Sequence, residues 1–402
     1  SSDRKGLPEA LVDKCAPLEI PVVSWYQRVS ALAGVYIIYG ARRGKPIRKD
    51  VMQPKAARNI PIEALRLVAV AGIAVFHTFQ WTFQATCIGA VEYAPLAMFP
   101  YSGVLGFINL LGCWANEVFF MISGYFLIAS AARAWDGGAT WKSQMQRTVQ
   151  RLGKVILPTA FYCLVALTWS TVVYPIPDVA LNTHYWYTLG LEFIWVYAAT
   201  VFMAPWFGLA KSRLSQKSYT TTVIAVGILA FVVNGYLAAM SATSGSEFSW
   251  LQKLMSAATY VVAFLIGGLL RDVTDVMDSD RVGALGMRSL VTVLVLTIIL
   301  EGALSFTDNL TAMAVLSYKS TSLISLALAA ASLLFAATRR SASGNSRTAG
   351  AFVTLSTATL GFYVMQSLTS SLWRPVFNTL LANILVSQNS PAVICIVTGT
   401  VI

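Results

Sequence analysis

Apolar runs of about membrane-spanning length alternate with short polar connectors along most of this sequence. An α-helix rises about 1.5 Å per residue, so roughly 20 apolar residues cross the hydrocarbon core of a bilayer. We therefore predict an all-α, polytopic membrane protein with about ten transmembrane helices. The ten apolar runs are 62–84, 104–131, 153–174, 186–209, 219–240, 252–270, 286–305, 317–338, 350–373 and 376–401.

Composition favours the same class. The chain has 402 residues, of which 56% are hydrophobic and 12% charged, and its mean hydropathy is +0.64. A soluble domain carries about twice that share of charge. The five cysteines show no paired spacing, so we expect small buried side chains rather than a disulfide framework or a metal site.

Basic residues are concentrated in every second connector, namely 42–58, 133–154, 211–217, 271–288 and 339–347. The connectors between them hold only Lys253, Lys319 and Arg374. Lys and Arg accumulate on the cytoplasmic side of membrane proteins, so this pattern predicts cytoplasmic N and C termini. It also accounts for most of the formal net charge of +11. We expect the lipid bilayer as a partner and no nucleic acid.

The chain is predicted to have two parts. Residues 1–58 form a basic N-terminal segment that is partly interfacial, and residues 59–402 form the transmembrane domain. The apolar stretch 20–40 is interrupted by Gln27 and Arg28. A full extra span there is the alternative, but a central Arg costs about 2.5–3.5 kcal/mol on insertion scales.

The first apolar run contains three ionisable residues, Glu63, Arg66 and His77. Arg66 and His77 are eleven residues apart, which returns to nearly the same helix face about 16 Å further along. Ionisable groups at membrane depth usually face protein or water and serve a function. A neutral imidazole can act as a general base. The alternative is that His77 is a hydrogen-bonded structural group.

The second run places Asn116 and Ser123 on one helix face, seven residues apart. Ser123 is followed by Gly124, and such small pairs allow another helix backbone to approach closely. Helix packing is therefore the commoner interpretation of this pair, with Ser123 as a nucleophile the alternative. Glu117 requires a partner or a proton.

A basic stripe lies at the start of the third run. Arg147, Arg151 and Lys154 recur at i, i+4 and i+7 on a helix that we expect to end at Pro158. Guanidinium groups bind phosphates with paired hydrogen bonds. The stripe is either a phosphate site or a basic edge that reaches towards lipid headgroups.

These motifs, taken in order, resemble those of the acyltransferase-3 family of integral membrane acyltransferases. The resemblance covers about residues 60–375, and its last segment has Gln366 where the family has a histidine. The matching residues are Arg66 and His77; Phe119, Phe120, Ser123 and Gly124; Arg147, Arg151, Lys154 and Pro158; His184, Tyr185, Trp186 and Tyr187; and Leu360, Gly361, Phe362 and Tyr363.

The resemblance implies a membrane O-acetyltransferase of the cell envelope. An acyl group, commonly acetyl, would move from acetyl-CoA or another acyl-CoA to a hydroxyl of an envelope polysaccharide or lipid-linked sugar, without a metal. The expected location is the cell membrane, with the bacterial inner membrane as the specific expectation. The expected catalytic residues are His77, Arg66, Asn116 and Ser123.

The charge map suggests where the two substrates bind. Acyl-CoA is a cytoplasmic anion, so Arg147, Arg151 and Lys154 are the candidate residues for its phosphates. On the opposite side, His184, Trp186 and Glu192 open the fourth run and are the candidate acceptor-binding residues.

Two other functions fit the composition. A secondary transporter also has many spans and intramembrane ionisable groups, but the related halves and paired broken helices common in transporters are not evident here. A non-catalytic scaffold has no use for an Arg–His pair at membrane depth.

Overall fold

The computed structural model describes residues 59–177, 179–180, 191–244, 249–277, 279–318, 321–339, 347–387 and 391–401. The N-terminal segment 1–58 and the candidates His184 and Trp186 lie outside the described residues. Within the described ranges the chain forms thirteen α-helices and no strand. These are α1 (Ile60–Cys87), α2 (Ala94–Ala97), α3 (Tyr101–Asp136), α4 (Trp141–Val172), α5 (Glu192–Arg213), α6 (Gln216–Ser244), α7 (Ser249–Val276), α8 (Ser279–Phe306), α9 (Leu310–Leu316), α10 (Leu323–Thr338), α11 (Arg347–Leu368), α12 (Ser370–Ser387) and α13 (Pro391–Val401).

The prediction of an all-α polytopic membrane protein is confirmed. Eight helices, namely α1, α3 to α8 and α11, contain stretches long and apolar enough to cross a membrane, and α10 and α13 are shorter apolar helices. Each of the first eight predicted runs corresponds to one helix, and the ninth, 350–373, covers most of α11 and the first residues of α12. The tenth run, 376–401, is divided between α12 and α13 by a break before Pro391.

Polar residues cap several helix starts. The side chain of Asn59 accepts a hydrogen bond of 3.3 Å from the Ile62 backbone nitrogen at the start of α1. Thr140 accepts one of 3.3 Å from the Ser143 nitrogen at the start of α4. A helix leaves its first backbone N–H groups without partners, and these side chains satisfy one each.

Helix α4 corrects one expectation. The basic helix was predicted to end at Pro158, but α4 continues through Pro158 to Val172. Proline removes a single backbone donor, and membrane helices tolerate it because local adjustments satisfy the carbonyl that is freed. The basic stripe and the following apolar run are therefore one continuous helix.

The bundle is built round α3, which is 36 residues long and contributes half of the largest fully buried side chains in the described residues. It packs against α1, α5, α7, α8 and α10. Phe120, Met121 and Ile122 on α3 are completely buried, which places the centre of the core at the middle of this helix.

The contact between α3 and α7 depends on two glycines. A Cβ atom on Gly124 of α3 would overlap the Phe264 carbonyl of α7, and one on Gly267 of α7 would overlap the Met121 carbonyl of α3. The two backbones therefore touch directly, as small residues permit in membrane helix pairs. Gly124 therefore serves helix packing, as the sequence interpretation expected of this position.

The end of the bundle formed by the C-terminus of α1 has its own small core. Phe79 and Phe83 of α1 pack there against Leu96 of α2, Leu381 of α12 and Cys395 of α13. We call this end the cap face. The other end carries Arg133, Lys142, Lys211, Lys217 and Arg271 at its helix termini, and we call it the basic face.

The close contact at Gly124 and Gly267 leads to a prediction about stability. Gly124→Ala should lower the free energy of unfolding by about 1–3 kcal/mol, because the added methyl must push two helix backbones apart. Gly302→Ala on α8 is the control, since nothing lies within 4 Å of a Cβ at that position. Each variant is heated in detergent, and size-exclusion chromatography then measures the fraction of protein that still elutes as folded material. An equal folded fraction for the two variants would contradict direct backbone contact at Gly124.

Candidate active site

A cavity of about 450 Å³ opens between α1, α3, α4, α5 and α11 in the half of the bundle nearer the basic face. Its wall combines polar and apolar side chains. The polar lining residues are Glu63, Arg66, Ser123, Lys154, Tyr197, Ser356, Thr357, Thr359 and Tyr363. A concave site of this size with a few convergent polar groups is typical of small-molecule binding sites.

Arg66 lies in this cavity and forms an ion pair with Glu63, one turn earlier on α1. The Arg66 Nη1 atom lies 3.1 and 2.9 Å from the two Glu63 carboxylate oxygens. Glu63 is buried and Arg66 is about a third exposed. Because both contacts use one nitrogen, this pair leaves the other N–H groups of the guanidinium uncommitted to Glu63.

One face of α1 leads from the cavity towards His77. Glu63, Arg66, Val70 and Ile73 line the cavity at spacings of three and four residues, and His77 continues that spacing by one more turn. His77 itself lies beyond the cavity wall. Its ring lies 5.0 Å from the Phe76 ring, and its Nδ1 atom is buried without a hydrogen-bond partner among the described residues.

Two polar side chains accompany His77. Gln80 is one turn further along α1, and Arg374 comes from α12, which packs on α1. The positive charge of Arg374 acts on the imidazole. The predicted general base therefore lies one turn from an amide on α1 and within electrostatic reach of a guanidinium on α12.

Ser123 and Asn116 occupy different places on α3. The Ser123 hydroxyl lines the cavity and lies 2.8 Å from the Tyr197 hydroxyl. Asn116 is outside the lining, and its Nδ2 atom donates to the Tyr260 hydroxyl at 3.3 Å. Glu117, next to it, is completely buried and also outside the cavity wall.

Ser123 and His77 lie at different depths. Gly112 of α3 packs against the Phe76 ring, which is next to His77. Ser123 lies eleven residues beyond Gly112, so it is about 16 Å nearer the basic face. Ser123 shares the depth of Arg66 rather than that of His77.

The basic stripe of α4 runs from the cavity to the surface. Lys154 lines the cavity, and Arg151 donates from Nη2 to the Ser130 hydroxyl at 3.3 Å. Arg147 is exposed. The stripe spans about 10 Å along the helix and forms a row of positive charge at the cavity edge on the basic face.

Glu192, the described member of the predicted acceptor set, begins α5 and is exposed. It does not line the cavity, although the next two residues, Phe193 and Ile194, do. The structure thus brings Arg66, Ser123 and Lys154 together around one cavity. Five other predicted site residues lie outside its wall, namely His77, Asn116, Arg147, Arg151 and Glu192.

Several cavity residues carry no strong signal in the sequence. One wall is the α11 face with Ser356, Thr357 and Thr359, and it approaches Tyr363 of the weakly matched Gly361 segment. Hydroxyl side chains in an apolar run are common, so their spacing alone does not indicate a cavity. The electrostatic interaction of Arg374 with His77 joins residues almost 300 positions apart, and periodicity cannot reveal it.

The fold and cavity define a helical membrane protein with a substrate-sized site that begins at a basic surface and leads towards a buried imidazole. The family model described as an acyltransferase domain, Acyl_transf_3, matches residues 59–402. The chain therefore belongs to the acyltransferase-3 family and is a membrane acyltransferase. No curated protein and no solved structure matches it.

Cysteine labelling can test the cavity. In a variant without native cysteines, Thr359→Cys on the cavity wall should react with a water-soluble maleimide, because thiols react as hydrated thiolates. Leu355→Cys is the control, since Leu355 is 57% exposed, lies outside the cavity and belongs to a helix apolar enough to span the membrane. Labelling of intact membranes is measured by gel shift. Similar labelling of both thiols would contradict a water-accessible cavity.

Proposed function

We propose that this acyltransferase moves an acyl group, acetyl in the first instance, from acyl-CoA to a hydroxyl of an envelope polysaccharide or lipid-linked sugar. The observation that carries the proposal is the single face of α1 that runs from the Arg66 cavity to His77. It offers an anion-binding entrance at one end and a potential general base at the other. The expected site of action is the cell membrane, specifically a bacterial inner membrane.

The charges at the basic face suit the binding of acyl-CoA. Coenzyme A carries several phosphate charges, and Arg147, Arg151 and Lys154 supply a row of cations at the cavity edge. Guanidinium groups can bind phosphate oxygens in pairs, whereas the Lys154 ammonium acts as a point charge. The pantetheine arm is long and only weakly polar, which suits a cavity that also has Val70 and Ile73 in its wall.

The transfer step assigns His77 the role of general base. Its imidazole takes the proton of the acceptor hydroxyl while that oxygen attacks the thioester carbonyl carbon. A C–O bond forms, the C–S bond breaks, and the departing thiolate receives the proton from His77. The products are an ester and free coenzyme A, so protons and electron pairs balance without a metal or redox partner.

The other candidate residues take supporting roles in this proposal. Arg66 supplies positive charge at the cavity, and Ser123 offers a hydrogen bond to the pantetheine arm at the same depth. Asn116 lies nearer His77 but uses its amide nitrogen on Tyr260. Glu192, with His184 and Trp186 of the same segment, would contact the sugar. Comparing acetyl groups on envelope glycans with and without the protein identifies the acceptor.

The first functional prediction concerns His77. Purified protein should transfer label from radioactive acetyl-CoA, and His77→Ala should reduce the rate by at least about 10²-fold, because general-base catalysis contributes about 10²–10⁴-fold. Val68→Ala, a change at an exposed position on α1, should behave as wild type. Normal transfer by the His77 variant, at equal protein level, would exclude this role. Uptake of solute without any modification would indicate a transporter instead.

The second functional prediction concerns the basic stripe. The double variant Arg151→Glu, Lys154→Glu should weaken acetyl-CoA binding at least tenfold at low salt, because it replaces attraction of the phosphates by repulsion. Lys217→Glu is the control, since Lys217 is exposed at the start of α6 and outside the cavity. Calorimetry at two ionic strengths measures the affinities. An unchanged affinity in the double variant would assign the stripe to the lipid edge.

A further inference from the structure

Arg374 on α12 is a half-buried cation whose charge acts on His77. The ion pairs found in the described part of the chain are Arg66–Glu63, Lys211–Asp272 and Arg271–Asp275, and none of them includes Arg374. Its Nε atom is buried without a hydrogen-bond partner in the same part of the chain. A guanidinium at membrane depth normally pairs with other groups, so an uncompensated one indicates a functional site.

The structure holds this guanidinium in place. Trp373 donates its indole N–H to the Gln366 backbone carbonyl at 3.2 Å, which ties the start of α12 to the end of α11. The Arg374 guanidinium lies 5.7 Å from the centre of the Trp373 ring, within the range of a cation–π contact. The cation is therefore positioned by a fixed aromatic side chain rather than by a carboxylate.

Three other buried polar atoms on α1, α11 and α12, helices that pack on one another, also have no hydrogen-bond partner among the described residues. They are His77 Nδ1, Gln366 Oε1 and Asn378 Oδ1. Asn378 is one turn after Arg374 on α12, and Gln366 reaches the same region through Trp373. A buried polar atom without a partner is destabilising. Four such atoms, counting Arg374 Nε, on three helices that pack together indicate a region where a polar ligand group would complete the hydrogen bonds.

The proposed reaction requires positive charge at this depth. Attack on the thioester creates a negatively charged oxygen close to the base, His77. Ser123 lies about 16 Å nearer the basic face, and the Asn116 amide nitrogen is engaged with Tyr260. Arg374 lies on α12, which packs on α1, and its charge reaches the His77 imidazole.

We propose that Arg374 is a catalytic residue of the acyl transfer: its guanidinium donates hydrogen bonds to the oxygen that becomes negative when the acceptor hydroxyl attacks the thioester. This inference rests on the proposed function. The electron pair of the carbonyl moves onto that oxygen during attack and returns as the C–S bond breaks. His77 carries the proton from the hydroxyl to the departing sulfur, and Arg374 keeps all its protons throughout.

The test compares kinetic constants for purified variants with labelled acetyl-CoA. Arg374→Gln should lower kcat about 10²–10³-fold, the loss typical for one oxyanion donor, with little change in KM for either substrate. Arg374→Lys should retain more activity than Arg374→Gln because it keeps the charge but loses the planar fork. Arg288→Gln is the control, since Arg288 is exposed on α8, away from the cavity and α12. Acetyl-CoA affinity should be the same in all of these proteins.

A second variant distinguishes a specific loss of catalysis from misfolding. Trp373→Phe keeps an aromatic ring but removes the hydrogen bond to Gln366, so kcat should fall by a smaller factor while the elution profile stays unchanged. If the wild type transfers label and Arg374→Gln has the same kcat, the inference is overturned. A rise in acceptor KM at constant kcat also overturns it, because the guanidinium would then bind a fixed anionic group of the acceptor. Failure of wild type to transfer label counts instead against the proposed function.

Discussion

The direct contact between the backbones of α3 and α7 at Gly124 and Gly267 is the constraint on which the bundle depends. Inside a membrane, apolar side chains gain little by exchanging lipid for protein, so close van der Waals packing of backbones contributes much of the association. The contact centres α3 among five neighbours. It also fixes the neighbouring Ser123 at the cavity, opposite Arg66 on α1.

The basic side chains at the two ends of the polar face of α1 differ in whether a carboxylate pairs with them. Near the basic face, Arg66 is paired with Glu63, so the unpaired positive charge at the cavity comes from the α4 stripe that ends at Lys154. Near the cap face, Arg374 has no carboxylate partner in the described residues, and its charge reaches His77. In the proposed reaction this positive charge would oppose the negative charge that builds on the thioester oxygen.

Much of the fold could be predicted from the sequence, because hydrophobic run length directly reflects the bilayer thickness. The first eight runs each correspond to one helix, and the ninth extends a few residues into α12. The division of the tenth run and the continuation of α4 through Pro158 depend on tertiary packing, which run length does not encode. In the site, helical spacing gave the single face of α1 that carries Arg66 and His77 and the basic stripe of α4. It could not reveal that Arg66 and Lys154 line one cavity, that Ser123 and His77 differ in depth, or that the charge of Arg374 reaches His77 from α12, since all three follow from how distant helices are aligned.

Helix α11 differs from α3 in how firmly it is built into the bundle. It contributes several side chains to the cavity wall, including Ser356, Thr359 and Tyr363, yet it packs mainly on α1, α4 and α12 at the periphery. Substitutions on its inner surface can therefore reshape one wall while the central helix crossing stays intact. Natural variation along this single helix offers a route by which a common scaffold acquires new substrate preferences without losing its ability to fold.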